Sequence, residues 1–528
     1  MRDLSDWKVR AFYLSCLILV PFLKFLVRNE YGFLYPEVLA GVLLLVVVCV
    51  LLALAARGTG FYLLIVFLVT LTATYPAQGL AGFLSAVPPW AIGAVIASAT
   101  RLLLQRMRAN FFLVLAVFTW SGLPVEAVMH AGRADLTVHA RLAKPAGHIL
   151  WLILDEHIGL AGFPTNLPEC VSARDRLQRT LQRYNFTIFP YAYSNYPVTV
   201  DSVASILTGR LVKWPEELMP RTGSGNMRHY AIKRNRVFEE FTAKGYQVSA
   251  WQHGALRICG AASSGVECQE YEEKLKWLHR APGGWLPRFR WLVGSYQSGD
   301  PWLLRVKGFF PFRFGIKITG PLALEGLWPD GLADGLFRES RATLFFAHLM
   351  TPHSPYLYRR DGSIRPLEEW ADDRADHRVS EHDYQDLYCR YCEQVEFVAS
   401  QLDQLLLRLD EGGLLRGMTV VIHGDHGSRI LHSLSPTTQT GSISPELLDF
   451  NGEPDSRDLV DRFSTLLAVK RAGAAAPATC DEKHSLLTFL ARVVLGREPK
   501  DGAGLADKVY LADDRQRLHA IDIQRYWK

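Results

Sequence analysis

Five apolar runs crowd the first 129 residues, at about 11–27, 37–56, 61–80, 87–104 and 111–129, and stop near residue 130. Each approaches the roughly 20 residues that span a bilayer at 1.5 Å rise per residue. A cleavable leader would have one short apolar core, so five in succession predict a retained bundle of five transmembrane helices. Arg2, Lys8 and Arg10 precede the first run, Arg57 follows the second, and Arg101, Arg106 and Arg108 separate the fourth from the fifth. The opposite loops hold only Arg28. Basic residues stay on the cytoplasmic side, which places the amino terminus inside and everything beyond residue 130 outside. Lys24 and Glu126 are ionisable within these runs, and Glu37 and Arg101 stand near the ends of two others. A transport path is expected to need more such groups, so the block reads as an anchor.

Beyond a connector at 130–147 the pattern changes. His148 to Leu154 (HILWLIL), Ala342 to Ala347 (ATLFFA) and Met418 to Ile422 (MTVVI) are short continuous apolar runs, as expected of strands buried on both faces of a parallel sheet. Between the last two, Leu387, Tyr391, Val395, Val398, Leu402, Leu405 and Leu406 recur at helical spacing and predict a helix over about 384–409. Strands alternating with helices over 148–528 imply one α/β domain outside the membrane, interrupted by an insertion at about 211–340.

Ligands of open α/β sheets bind beyond the carboxyl ends of the strands, and that is where the polar clusters fall. HILWLIL is followed by Asp155, Glu156 and His157, MTVVI by His423-Gly424-Asp425-His426-Gly427, and ATLFFA by a loop carrying His348 and His353. Oxygen and nitrogen donors from three strands suit a divalent metal: zinc first, with manganese, calcium and magnesium as alternatives. Asp155, Glu156 or both, with Asp425 and His426, are the candidate ligands. His157, His423 and His432 are weaker candidates, expected to support the ligands from behind. Pro352 and Pro355 are expected to hold the loop around His353 extended. Tyr193 to Arg210 (YSNYPVTVDSVASILTGR) reads as a loop entering a helix, with Thr199 near its start and Gly209 closing it. A helix amino terminus offers free N–H groups to an anion, and a hydroxyl there can attack a phosphoryl group if a metal lowers its pKa.

Composition excludes other classes. At 49% hydrophobic the chain can fill large cores, and 58 Lys and Arg against 53 Asp and Glu give no strongly basic surface for nucleic acid. Eight scattered cysteines form no disulfide framework or zinc-finger pattern. Cys259 and Cys268 can close a short loop outside the cytoplasm, whereas Cys389 and Cys392, one helical turn apart, are expected to pack as small apolar residues. Residues 285–317 interleave nine aromatic residues with six Lys and Arg, a mixture suited to a lipid headgroup layer.

These residues resemble the sulfatase and alkaline phosphatase superfamily, above all its membrane-anchored phosphoethanolamine and phosphoglycerol transferases, such as lipid A phosphoethanolamine transferases and lipoteichoic acid synthases. The strand ending in Asp155-Glu156 looks like the family's first metal site, and Gly424-Asp425-His426-Gly427 like its second. Leu207-Thr208-Gly209-Arg210 matches the end of the sulfatase signature, and counting back places Thr199 on the nucleophile and Ser202 on the serine after it. The resemblance implies an alkaline-phosphatase-like α/β/α sandwich and substrate contacts from His348, His353, Ser202 and Asn195, with a histidine protonating the leaving group. It departs from sulfatases in two ways. Threonine cannot become the formylglycine they use, and the proline and arginine read by the modifying enzyme are here Asp201 and Val203. The likeness covers 148 to about 475, including Asp461 to Val469, and leaves 211–340 unmatched. It implies a multi-pass protein of a bacterial inner membrane with its catalytic domain outside. The expected reaction passes a phospholipid headgroup phosphate, through a phosphothreonine, to an envelope glycan or lipid. A hydrolase on the same scaffold, either a phosphodiesterase or an atypical sulfatase, is the alternative.

Overall fold

The computed structural model describes residues 7–55, 147–212, 218–221, 229–254, 256–259, 266–271, 278–279, 281–299, 328–369, 381–431, 456–493, 496–499, 503–512 and 518–523. They divide into two compact units. The first holds residues 7–55, 278–279 and 281–299, and the second holds the other described residues.

In the first unit, helix α1 (Trp7–Arg28) packs on helix α2 (Pro36–Ala55). Among the described residues, α2 is the one helix long and apolar enough to cross a membrane. It keeps Leu39, Leu43, Leu44, Val47, Val48, Leu51 and Leu54 exposed, which only an apolar surrounding would cover. α1 coincides with the first expected span, while the third to fifth, at 61–80, 87–104 and 111–129, lie outside the described residues. The helix Trp285–Gly299 also belongs here, not to the α/β domain its place in the sequence suggested. Its Phe289 lies beside Gly41, and its Arg288 Nε is 3.8 Å from the fully buried Glu37. Glu37 also accepts from the Tyr31 hydroxyl at 2.5 Å. The rest of the basic aromatic segment, 300–317, lies outside the described residues.

The second unit is built on an eight-stranded mixed sheet. Its strands are β1 (Ile149–Leu154), β2 (Thr187–Ile188), β3 (Gln247–His253), β4 (Val266–Tyr271), β5 (Thr343–Leu349), β6 (Thr419–Gly424), β7 (Leu467–Lys470) and β8 (Ala478–Thr479). They lie in the order β8-β2-β7-β6-β1-β5-β3-β4, with β4, β3, β5, β1 and β6 mutually parallel and β7 antiparallel to both its neighbours. The three expected strands are the adjacent centre of the sheet, β5-β1-β6, shifted by a residue or two at their ends.

Successive side chains of β1 point to opposite faces, and both faces are buried. Leu150, Leu152 and Leu154 pack with helix α3 (Pro168–Arg183) and with α5 (Glu381–Glu411), the long helix expected at 384–409. Trp151 and Ile153 face the other way, toward α4 (Thr199–Thr208) and α6 (Leu486–Val493). The result is the expected α/β/α sandwich. Cys392 of α5 is bridged to Cys170 of α3, not left as a small packing residue, and Cys389 keeps a free thiol. The expected Cys259–Cys268 disulfide is present.

Candidate active site

The register of the three central strands assembles the site. Leu154 is level with Leu349 of β5 and with Gly424 of β6, so the residues after β1 and β6 emerge side by side. Asp155 follows β1, Asp425 and His426 follow β6, and His348 is the penultimate residue of β5 itself. Both glycines around Asp425-His426 are required by close packing. A Cβ on Gly427 would run into the backbone carbonyl of Asp461, and one on Gly424 into that of His157.

Asp155, Asp425 and His426 are fully buried, and each offers a ligand atom within 4.8 Å of the others. Asp425 Oδ1 accepts the backbone N–H groups of Glu156 (2.8 Å) and His426 (2.9 Å), whereas Asp425 Oδ2 and Asp155 Oδ1 accept no hydrogen bond. His426 Nδ1 lies 2.8 Å from the Gly427 carbonyl, which places its proton there and leaves the Nε2 lone pair facing the carboxylates. Burial, and then the neighbouring Asp155 charge, push the Asp425 carboxyl up. Burial also opposes ionisation of Asp155, but the hydrogen bond from His348 and the nearby imidazoles of His353, His348 and His426 outweigh it and hold Asp155 below the usual carboxylate range. The same bond, 2.9 Å from His348 Nε2 to Asp155 Oδ2, lifts the His348 imidazole against the opposing effect of burial. Two buried acids with unsatisfied oxygens beside an imidazole lone pair are a donor set that a divalent cation completes.

Thr199 is the first helical residue of α4, after Val198, whose side chain makes no cap hydrogen bond. The Thr199 hydroxyl is 3.2 Å from His426 Nε2 and 3.5 Å from Asp155 Oδ2. Gly209, with φ of 68°, ends the helix as expected. An α4 amino terminus beside this cluster aims free N–H groups at any anion the hydroxyl meets.

Other expected site residues stand elsewhere. Glu156, in a left-handed turn with φ of 60°, pairs with Arg429 and accepts from the Ser354 backbone N–H at 3.2 Å, so its carboxylate is committed away from the Asp155 group. Half-buried His353 lies 3.5 Å from Glu156 Oε1. Cis peptide bonds precede Pro352 and Pro355 in the loop around His353. Ser202 is buried and donates to the Asp425 carbonyl at 2.6 Å, latching α4 to the loop of Asp425. Asn195 is likewise buried, its amide donating to the carbonyls of Ala506 (2.6 Å) and Lys508 (2.8 Å).

His423 accepts from Trp151 Nε1 at 2.7 Å, and burial lowers its pKa to about 4. His157 is lowered to about 4 by the same cause, and its Nδ1 meets the Ile158 carbonyl. Both are structural imidazoles, and His432 lies outside the described residues. Two contributors escaped the sequence reading. Arg429 answers Glu156, and the Tyr271 hydroxyl donates to the His348 carbonyl at 2.6 Å while accepting from the Met350 N–H. A cation soon after His426 was a usable signal for the first; nothing local marks the second.

No protein-family model matches the chain, and no curated protein matches it. Solved structures do resemble it. The phosphonate monoester hydrolase of Agrobacterium radiobacter is 13% identical with a TM-score of 0.40, over 70% of this chain and 80% of that one. The phosphonate monoester hydrolase of Silicibacter pomeroyi is 13% identical with a TM-score of 0.41, over 67% and 74%. The lipoteichoic acid synthase LtaP of Listeria monocytogenes is 12% identical with a TM-score of 0.36, over 73% and 89%. Likenesses this distant carry no weight for activity, which has to be judged from the residues in place.

Proposed function

We propose that the chain is a membrane-anchored, metal-dependent transferase of phosphoryl headgroups. Thr199 is its nucleophile, Asp155, Asp425 and His426 are the metal ligands, and Glu156 is not a ligand. The observation that carries this reading is the Thr199 hydroxyl, unspent on capping, at the start of α4 and 3.2 Å from the imidazole of a buried Asp/Asp/His group. A divalent cation held there, zinc by donor set, would lower the pKa of the hydroxyl and offset the charge of a phosphodiester.

In the first half-reaction the Thr199 oxygen bonds to phosphorus, the bond to the diacylglycerol oxygen breaks, and the proton lost by Thr199 is balanced by one gained by diacylglycerol. Free N–H groups at the start of α4 hold the phosphoryl oxygens. His348 holds Asp155 in place, and half-buried His353, beside Glu156, is assigned the protonation of the departing oxygen. In the second half-reaction a hydroxyl of an envelope glycan or lipid attacks the phosphothreonine and Thr199 recovers its proton.

The anchor is read as five spans with the α/β unit on the outer face of a bacterial inner membrane. α2, the loop charges and two disulfides in the second unit support that orientation. A lipid donor gives such an anchor its use. Incubating purified protein with phospholipid and mapping peptides by mass spectrometry is expected to find a headgroup phosphate on Thr199, retained in Thr199→Ser and absent in Thr199→Ala. An unmodified Thr199 with continuing turnover ends the reading. Adduct formation followed only by release of free headgroup phosphate, whatever acceptor is supplied, assigns the hydrolase alternative.

A further inference from the structure

Away from the catalytic cluster, a second set of metal-ligating atoms lies in the segment that follows β8. Cys480, Glu482 and His484 each offer a ligand atom within 4.8 Å of the others. His484 Nε2 is 4.0 Å from Cys480 Sγ and 3.3 Å from Glu482 Oε2. Around a tetrahedral zinc ion, bonds of about 2.3 Å to sulfur and about 2.0–2.2 Å to nitrogen and oxygen give edges of about 3.6 Å for S···N and about 3.4 Å for N···O. The nitrogen–oxygen edge is already met, and the sulfur has about 0.4 Å to close.

The backbone holds these donors ready. The Cys480 N–H donates to the Ile188 carbonyl at 2.9 Å, next to the β8–β2 pairing. The His484 carbonyl accepts from the Tyr193 N–H at 3.0 Å, and the Leu486 N–H donates to the Tyr193 carbonyl at 2.8 Å. The His484 ring lies edge-on to Phe189, at 5.7 Å and 72°, and tilted against Phe489. Both ends of the five-residue segment are thus pinned and the imidazole is oriented before any ion arrives, which reduces the ordering cost of binding. Cys480 and His484 are half-buried and Glu482 is exposed, leaving an approach from solvent and a fourth position for water.

We propose that Cys480, Glu482 and His484 form a second metal site, a three-ligand zinc clasp built on one thiolate, one imidazole and one carboxylate. Binding replaces the thiol proton with a zinc–sulfur bond and releases that proton to solvent. Because Tyr193 begins the loop that leads to Thr199, a closed clasp ties β2 at Ile188 to the start of that loop.

Sulfur makes the test specific. A cobalt(II) ion bonded to thiolate has a ligand-to-metal charge-transfer band in the near ultraviolet, and the Asp155/Asp425/His426/Thr199 set contains no sulfur. The full chain, with Cys480 verified as a free thiol, is titrated with cobalt(II). The expected result is a band that saturates at one ion per chain, vanishes on adding zinc, disappears in Cys480→Ser and persists in Cys389→Ser. Glu482→Gln, a near-isosteric change at an exposed position, is expected to weaken cobalt binding at this site by at least about 10-fold. A wild-type chain with no charge-transfer band, or a band that survives Cys480→Ser, overturns the proposal. Both results are independent of turnover, so a failed clasp leaves the reading of Thr199 standing, and an inactive Thr199 leaves the clasp standing.

Discussion

Glu156 and Asp155 are adjacent acids at the end of one strand, both fully buried, yet their replacement should have opposite signatures. Glu156→Gln removes the countercharge of Arg429, which is 17% exposed. Removing one partner of a buried pair costs about 3–5 kcal/mol, and the low end applies because Arg429 reaches some solvent and glutamine still accepts a hydrogen bond. Unfolding entropy of about 2.1 cal/mol/K per residue, over a unit of roughly 340 residues, gives about 0.7 kcal/mol/K, so about 3 kcal/mol lowers Tm by about 4 °C. Bound metal should stay at the wild-type level. Asp155→Asn removes a charge whose Oδ1 has no protein partner and should empty the site of metal. Calorimetry on the two variants, with metal content measured on the same samples, checks both halves. If Glu156→Gln loses the ion while Asp155→Asn keeps it, the assignment of ligands is reversed and the geometry has been misread.

Three further outcomes follow from the packing around the site. Asp461, fully buried, is raised to about 6, chiefly by burial and against hydrogen bonds from Ser428 and Tyr388. A raised carboxyl stabilises the fold while protonated, so stability on the order of 3 kcal/mol is present below about pH 4 and lost as pH rises through about 6. Asp461→Asn should flatten that part of the stability–pH curve measured by chemical denaturation, and an unchanged slope contradicts the assignment. Gly427→Ala forces a Cβ into the Asp461 carbonyl and should displace His426, with metal affinity falling by more than about 10-fold in a competition titration. Replacing Cys170 and Cys392 by alanine opens a crosslink between residues 222 apart, worth about 5 kcal/mol by chain entropy, against about 3 kcal/mol for Cys259–Cys268 with a separation of 9. Equal shifts in the denaturant midpoint would refute that ordering.

What could be read from the chain alone was whatever burial writes into consecutive residues. β5, β1 and β6 are buried on both faces, so they appear as unbroken apolar runs, and the acids and histidines behind them are conspicuous by contrast. β3, with the mixed sequence QVSAWQH, carries no such mark, and two-residue strands such as β2 carry none at all. Spacing alone put Thr199 at the start of a helix, and the structure brings it to His426 across 227 positions. Long-range partnerships without a local pattern stayed hidden. Arg429 meets Glu156 across 273 residues, and Cys170 finds Cys392 while the nearer Cys389 stays free. Ser202 and Asn195 lie in the helix and loop expected of them, and the backbone carbonyls to which each donates were hidden for the same reason.

The helix at Trp285–Gly299 groups with α1 and α2, although the chain before and after it builds the eight-stranded sheet. Among the described residues, the polypeptide therefore leaves the second unit for 278–299 and is back in it by 328. A soluble fragment made only by trimming the amino terminus would still carry this helix, stripped of Gly41 and Glu37 of α2, which its Phe289 and Arg288 meet, and with Trp285 and Leu286 already exposed. Trimming plus replacement of 274–318 by a short flexible bridge is the cut that respects how the molecule is divided, and it should be the one that stays monodisperse without detergent.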